Sequence, residues 1–371
     1  MIISKKIRLI PNKTQEKMLY KSAGTARFIY NWTLNKQEEN FKLGNKFISD
    51  NDLRKEITIL KKSELIWLNE VSNNVAKQAV KDGCNAYKNF FKKIAKKPKF
   101  KSKKKSKLSF YNDCVKLKFK QNLVLIEKVG WIKCNEPLTN QKFTNPRISY
   151  DGKYWHLSVG IEVKEENQEL TNKTIGIDLG LKDLAITNEG KKYKNINKTS
   201  NVKKTKKRLK RLQKQVSRKY ENNKEGQRYH KTANIVKLEK KIRLLHRRLA
   251  NIRDNYIHQI TTEIVKTKPS KIVIEDLNIK GMMKNKHLSK AIAQQGFYEF
   301  KRQLQYKCEF NGIEFVEADK WYPSSKTCSE CGHIKSKLSL SERTYICEEC
   351  GCVIDRDYNA SINLSRYELV V

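Results

Sequence analysis

Thr174-Ile175-Gly176-Ile177-Asp178-Leu179-Gly180 carries an acid inside a run otherwise fit for burial. Ile175, Ile177 and Leu179 alternate at the period of a strand, and Leu184 to Thr187 gives a second strand close behind. A lone carboxylate there is costly unless it binds a metal or a partner. Working outward, Glu275 poses the same problem at the end of Ile272-Val273-Ile274. Asp357 opens an amphipathic helix with Ala360, Ile362 and Leu364 on one face, where an acid can also simply cap the helix dipole. Any one acid is weak evidence, since an Asp or Glu near a strand end is most often a solvated turn residue. Together they sit on two neighbouring strands and a helix, a geometry able to hold two Mg²⁺ ions about 4 Å apart. One ion would activate a water and the other would stabilise a leaving 3′ oxygen. Asp355 competes for the third position; Asp357 is preferred because Asn359-Ala360 follows it directly.

Between the second acid and the third lies Cys328-x2-Cys331-x15-Cys347-x2-Cys350. Two such knuckles place four thiolates tetrahedrally around Zn²⁺, and four cysteines close the coordination shell, so the zinc is structural. Gly332 and Gly351 follow the second cysteine of each knuckle and supply its tight turn. The remaining cysteines (Cys84, Cys114, Cys134, Cys308, Cys352) are scattered and odd in number, which favours a reduced, intracellular chain over a disulfide framework. The six histidines form no metal or nucleophile array.

With 79 Lys+Arg against 39 Asp+Glu, the 371-residue chain carries a formal charge of +40. Such a surface repels itself and calls for a polyanion, best read as nucleic acid. No apolar run approaches the roughly 20 residues that span a bilayer, and no secretory signal is expected at the N-terminus. The charge is patterned. Residues 88–107 hold 11 lysines and no acid, and ten basic residues fall between Lys203 and Lys219.

The periodicities organise the rest. A strand over Ile3–Ile10, closed by Pro11-Asn12, leads into a helical bundle that ends near Ile94. Alternation at Val115, Leu117, Phe119, then Leu123, Leu125 and Trp155 to Val163, with Asp151-Gly152 as a hairpin turn, predicts an antiparallel sheet or small barrel over about 108–165. The N-terminal strand would complete it, making the bundle an insertion. A polar linker follows over 165–173, then the acid strand, then a helical region over about 200–265 that breaks near Asn222–Gly226 into an antiparallel pair. The strand Lys271–Glu275, a helix over about Ser289–Asn311 and a strand Ile313–Val316 follow.

In this order the motifs resemble the TnpB (OrfB) family of transposon-encoded RNA-guided nucleases, which is related to type V CRISPR effectors. The opening RLIPNKTQEKML and GTARFIYNWTL, the three segments TIGIDLGLKDLAIT, IVIEDLNIKGM and DRDYNASINL, and the ribbon YPSSKTCSECG…CEECG carry the resemblance over nearly the whole chain. It implies an α/β RNase H-like (RuvC) nuclease domain over 171–320 and 353–371, with a zinc ribbon inserted at 321–352. It also implies a wedge β-barrel over 1–10 and 96–170, with a helical recognition domain at 11–95. By the resemblance, Asp178, Glu275 and Asp357 are the catalytic, Mg²⁺-binding acids, and Cys328, Cys331, Cys347 and Cys350 the zinc ligands. The implied partners are a guide RNA from the transposon end and target double-stranded DNA beside a short transposon-adjacent motif, in a prokaryotic cytoplasm near the nucleoid. The competing readings are a non-cleaving RNA-guided repressor and a DNA transposase.

Overall fold

Asn12 starts the first long helix by a reciprocal cap. Its Oδ1 accepts from the Gln15 N–H at 2.8 Å, and the Gln15 side chain accepts from the Asn12 N–H at 3.0 Å. The computed structural model describes residues 2–103, 106–138, 142–163, 169–339 and 341–368, and the chain divides into two units, Met1–Val163 and Lys164–Val371. In the first, β1 (Ile2–Ile10) precedes α1 (Lys13–Lys42), α2 (Asp50–Leu60) and α3 (Asn73–Phe91). The helices bury a core of their own around Ile29, Leu53, Ile57, Leu68 and Val80.

The chain then runs through β2 (Ser109–Tyr111), β3 (Lys118–Lys120), β4 (Leu123–Ile126), β5 (Gly130–Cys134), β6 (Phe143–Tyr150) and β7 (Trp155–Glu162). With β1 these form one antiparallel sheet in the order β2-β6-β7-β1-β5-β4-β3. The β6–β7 pairing turns at Asp151-Gly152 as the sequence predicts. α3 is tied to this sheet twice. Ser72 Oγ and Asn74 Nδ2 donate to Glu127 at 2.6 and 3.0 Å, and Arg147 on β6 grips Asp82 through two bonds of 2.6 and 2.9 Å.

The expected barrel is an open sheet: β2 and β3 stand at its edges, and no pairing closes it among the described residues. Each edge strand has only three residues, which leaves few free ladder groups at either edge. The strand expected from Val115 starts only at Lys118, because the Asp113 side chain takes the Val115 N–H at 2.8 Å and turns the chain. Part of the lysine run (104 and 105) and part of the polar linker (165–168) lie outside the described residues.

The second unit opens with β8 (Thr171–Leu179), β9 (Asp183–Thr187) and β10 (Lys192–Lys194), followed by α4 (Ser200–Glu221). A two-rung hairpin, β11 (Lys224–Glu225) and β12 (Arg228–Tyr229), joins α4 to α5 (Ala233–Lys266) where the sequence predicts a break. After β13 (Pro269–Glu275) come α6 (Ile279–Met282), α7 (Ser289–Gln295), α8 (Phe297–Phe310) and β14 (Glu314–Ala318). The single helix expected over 289–311 is therefore two. Gly296 breaks it with φ +78°, a left-handed turn that glycine adopts freely, and packs under Ile257. The sheet order is β10-β9-β8-β13-β14: an antiparallel meander extended by two strands parallel to β8. The chain ends in the hairpin β15 (Thr344–Ile346) and β16 (Val353–Asp355) and in α9 (Arg356–Ser365).

Strand alternation sorts this sheet into two faces. Ile175, Ile177, Ile272 and Ile274 share a core with Ile257 and Ile260 of α5 and Phe300 and Leu304 of α8. The intervening positions face the other way, where Val273 packs with Leu364 of α9. Gly176 lets α9 come down onto β8: a Cβ there would stand 2.1 Å from the Ser361 carbonyl oxygen.

Candidate functional site

The same alternation places the first two acids on the α9 face. β13 pairs with β8 in parallel with Val273 opposite Gly176 and Ile274 opposite Ile177, so Glu275 comes level with Asp178. α9 then brings Asp357 in its first turn. All three carboxylates are half-buried. Burial, then the charges of Glu275 and Asp357, push the Asp178 carboxyl well above its ordinary value; Arg356 opposes this and Asp355 adds to it. Burial also raises Glu275, again against the pull of Arg356. Negative charge is thus concentrated where solvent screens it poorly, and a hard divalent cation with oxygen ligands would relieve it. The donor chemistry suits Mg²⁺. The spacing is looser than a closed cage: among the described residues, only the four cysteines offer three or more ligand atoms all within 4.8 Å.

Asp355 has another occupation. It is the N-cap of α9, and its Oδ1 accepts from the N–H groups of Asp357 and Tyr358, each at 3.1 Å. Its other oxygen meets Lys192 Nζ at 3.0 Å. Although burial alone would raise it, the Lys192 contact and the two N–H donors hold this carboxyl below its ordinary value. Asp357 lies in the first turn after that cap, and among the described residues its side chain forms an ion pair with Arg343 at 3.7 Å.

The four sulfurs meet as the spacing predicts. Cys328 Sγ lies 3.7 Å from Cys350 Sγ, and Cys331 Sγ 3.5 Å from Cys347 Sγ. A tetrahedron with zinc–sulfur bonds of about 2.3 Å has sulfur–sulfur edges of about 3.8 Å. The cluster therefore fits a metal such as zinc. Gly332 and Gly351 turn the knuckles at φ +78° and +68°. The Cys347 thiol is pulled down to about 6, first by the backbone N–H of Cys350. Cys352 stays outside the cluster and packs beneath it with Leu338 and Ile354. None of the nine cysteines is disulfide-bonded.

Four residues near these centres lie inside the quoted motifs without their roles being legible there. Gly176 is needed for the close approach of α9. Arg356 sits between the two aspartates in sequence, and its Nη1 donates to the Ser339 and Glu342 carbonyls at 3.2 and 3.4 Å. Asn359 and Asn363, both buried, bond to the first knuckle. Their spacing of four on one helix face was the available signal, since amides beside buried Ala360 and Leu364 need partners. Elsewhere in this unit, nine of the ten basic residues from Lys203 to Lys219 are exposed along α4, whose apolar stripe of Val202, Leu209 and Leu212 faces inward. No helix among the described residues is long and apolar enough to cross a membrane.

Similarity to known proteins bears on this architecture. Residues 297–364 match the TNB domain of Cas12f1-like proteins, residues 156–286 a family described as "Probable transposase", and residues 1–46 a helix-turn-helix domain of the same OrfB group. A solved Cas12f1–sgRNA–target DNA complex superposes with a TM-score of 0.61 at 13% identity, covering 98% of both chains. The mini RNA-guided endonuclease Cas_phi3 gives 0.54 at 10% identity, over 99% of this chain and 92% of its own. The fold is thus that of the compact Cas12-type effectors. In sequence, the chain is 30% identical to "Putative RNA-guided DNA endonuclease InsQ" of Escherichia coli K12, over 97% of this chain and 90% of that protein. It is 31% identical to a "Putative RNA-guided DNA endonuclease" of Streptomyces pristinaespiralis, over 97% and 87%. The chain belongs to the TnpB (OrfB) family of RNA-guided nucleases, relatives of the type V CRISPR effectors.

Proposed function

We propose that this chain is a Mg²⁺-dependent, RNA-guided DNA endonuclease that cuts target DNA beside a short transposon-adjacent motif. The observation that carries the reading is the convergence of Asp178, Glu275 and Asp357 on one face of the β8–β13 pair, with Asp178 held above its ordinary pKa by burial and by the other two. Relatives that align with nearly the whole chain are named putative RNA-guided DNA endonucleases. The divisions we assign are a wedge module over 1–10 and 96–170, a recognition bundle over 11–95, a RuvC-type nuclease domain over 171–320 and 353–371, and a zinc ribbon over 321–352. The +40 charge and the exposed basic face of α4 suit guide RNA and target DNA, whose sequence is then read by base pairing. The prokaryotic cytoplasm is the compartment we assign.

Bound Mg²⁺ would supply charge neutralisation at the scissile phosphate and a water of lowered pKa. The chain supplies the rest. Asp178 and Glu275 present oxygens from adjacent strands, so their separation is fixed by backbone hydrogen bonds. Asp357 is aimed by a helix whose first turn is locked by the Asp355 cap, so it is Asp355 and not Asp357 that spends an oxygen on the helix N-terminus. The Arg356 guanidinium keeps Asp178 and Glu275 closer to their ionised, metal-binding form. The cysteine cluster takes no part in the chemistry, because four sulfur ligands leave no open position.

The test is to purify the chain with the RNA that accompanies it, sequence that RNA, and assay cleavage of a matched duplex with Mg²⁺. Asp178→Ala should abolish cutting while RNA binding persists. Undiminished cutting by that variant would refute the assignment. Target binding without cleavage by the wild type would favour a repressor, and strand transfer without RNA a transposase.

A further inference from the structure

α9 is held on its outer side by the first cysteine knuckle. Asn359, fully buried, accepts from the Ser329 N–H through Oδ1 at 2.9 Å and donates through Nδ2 to the Thr327 carbonyl at 2.7 Å. These two backbone groups bracket Cys328. One turn later Asn363 Nδ2 donates to the same Thr327 carbonyl and to the Ser324 carbonyl, both at 2.7 Å. Arg366 donates to the Ser329 carbonyl, and Tyr322 donates to the Asn363 carbonyl at 3.0 Å. The second knuckle reaches the helix by another route. β16 runs directly into the Asp355 cap, and the Arg356 N–H donates to the Arg343 carbonyl at 2.9 Å. Both arms of the cysteine cluster therefore converge on the turn that carries Asp357.

We propose that Asn359 and Asn363 are positioning residues that couple metal occupancy of the four-cysteine cluster to the placement of Asp357. The proposal rests on the catalytic reading given above for Asp357. With the cluster loaded, Thr327 and Ser329 are fixed by the Cys328 ligand bond, and the two amides transfer that fixity to α9. With it empty, the knuckle loses the cross-link that folds it, and the carbonyl and N–H that anchor Asn359 are released. Such coupling is reciprocal: breaking the amide contacts must also loosen the metal. Buried amides suit this role, since each forms directional bonds only when its partners are in place and is costly to bury otherwise.

The experiment uses the full chain with its accompanying RNA. Asn359→Ala should speed zinc release to a chromogenic chelator by about tenfold, the usual effect of losing an outer contact of a metal site. It should also raise the Mg²⁺ concentration for half-maximal cleavage by about tenfold, with the saturated rate changed far less. Asn363→Ala, which leaves the Ser329 contact intact, should show both effects in weaker form. A mutation-free arm removes zinc from the wild type and follows amide exchange. Exchange over 356–365 should rise together with that over 324–332, while the α4–α5 hairpin stays protected. Wild-type zinc release in both variants, or unchanged exchange in α9 after zinc removal, overturns the coupling. Asp357→Ala separates the two readings: it should stop cleavage, and because it loses only the 3.7 Å pair with Arg343 it should speed zinc release far less than Asn359→Ala does. Continued cleavage by that variant would fail the catalytic reading of Asp357 while leaving the zinc-release result standing.

Discussion

A methyl group added at Gly176 would stand 2.1 Å from the Ser361 carbonyl oxygen, 2.3 Å from the Ser365 nitrogen and 2.9 Å from the Leu364 carbonyl carbon. All three are backbone atoms, so no rotamer change relieves the clash. Non-bonded heavy atoms settle near 3.5 Å, so α9 must retreat from β8 by roughly 1 Å in Gly176→Ala. Overpacking of that kind costs about 1–3 kcal/mol. The functional cost is larger, because the retreating helix carries Asp357 while Asp178 stays on the strand. A misplacement of about 1 Å in a catalytic constellation lowers rates by about 10²-fold. The assays are the urea midpoint of the full chain and single-turnover cleavage of a guide-matched duplex. Gly24→Ala is the internal control. Gly24 lies within α1 with nothing inside 4 Å of its absent Cβ, so alanine there should stabilise by about 0.5–1 kcal/mol and leave cleavage alone. Wild-type stability and cleavage in Gly176→Ala would refute the packing of α9 on β8 from which the acid centre is built.

Two further outcomes follow from contacts elsewhere in the chain. Burial alone would raise the Asp82 carboxyl, but the hydrogen bonds and charge of Arg147, with Gln78, hold it below its ordinary value. A depressed carboxylate contributes stability above its unfolded pKa of about 4 and loses it as pH falls through the folded value. Asp82→Asn should therefore cost about 1–3 kcal/mol at pH 7, and the difference from wild type should vanish in acid. A difference independent of pH in urea titrations would contradict the assignment. For the ribbon, Cys328→Ser or chelation should lower the melting temperature, since metal binding there is part of folding. Equal melting of metal-free and metal-loaded chains would count against a structural metal.

What could be read from the chain depended on how local the cause was. The cysteine spacing and the two knuckle glycines specify a cluster within about 25 residues, and the sulfurs meet accordingly. Asp178 and Glu275 stand out in the sequence because an acid in an apolar strand run is a local anomaly. Their shared face follows from period two once β13 lies beside β8. Asp355 and Asp357 differ in their side-chain hydrogen bonds, since Asp355 caps α9, and no sequence pattern displays that difference. The periodicities leave the choice of sheet or barrel open for the first unit, and where β3 begins is hidden because Asp113 turns the chain at Val115 through a side-chain bond. The break at Gly296 was written in the sequence, but an isolated glycine inside an apolar period does not declare its φ. Asn359 and Asn363 fall inside the segment DRDYNASINL, but their role against the first knuckle shows only in their partners, some 30 to 40 residues upstream.

The parallel pairing of β13 with β8 also bears on how the chain comes to be folded. β8 ends at Leu179 and β13 begins at Pro269, and between them the α4–α5 hairpin forms from contacts close in sequence. Local helical hairpins form quickly, whereas parallel pairing must first close a long loop. Asp178 and Glu275 therefore become neighbours late in folding, and Asp357 joins only after β15 and β16 have been made. During synthesis the basic α4–α5 hairpin, which suits a polyanion, is complete before the three acids can be brought together.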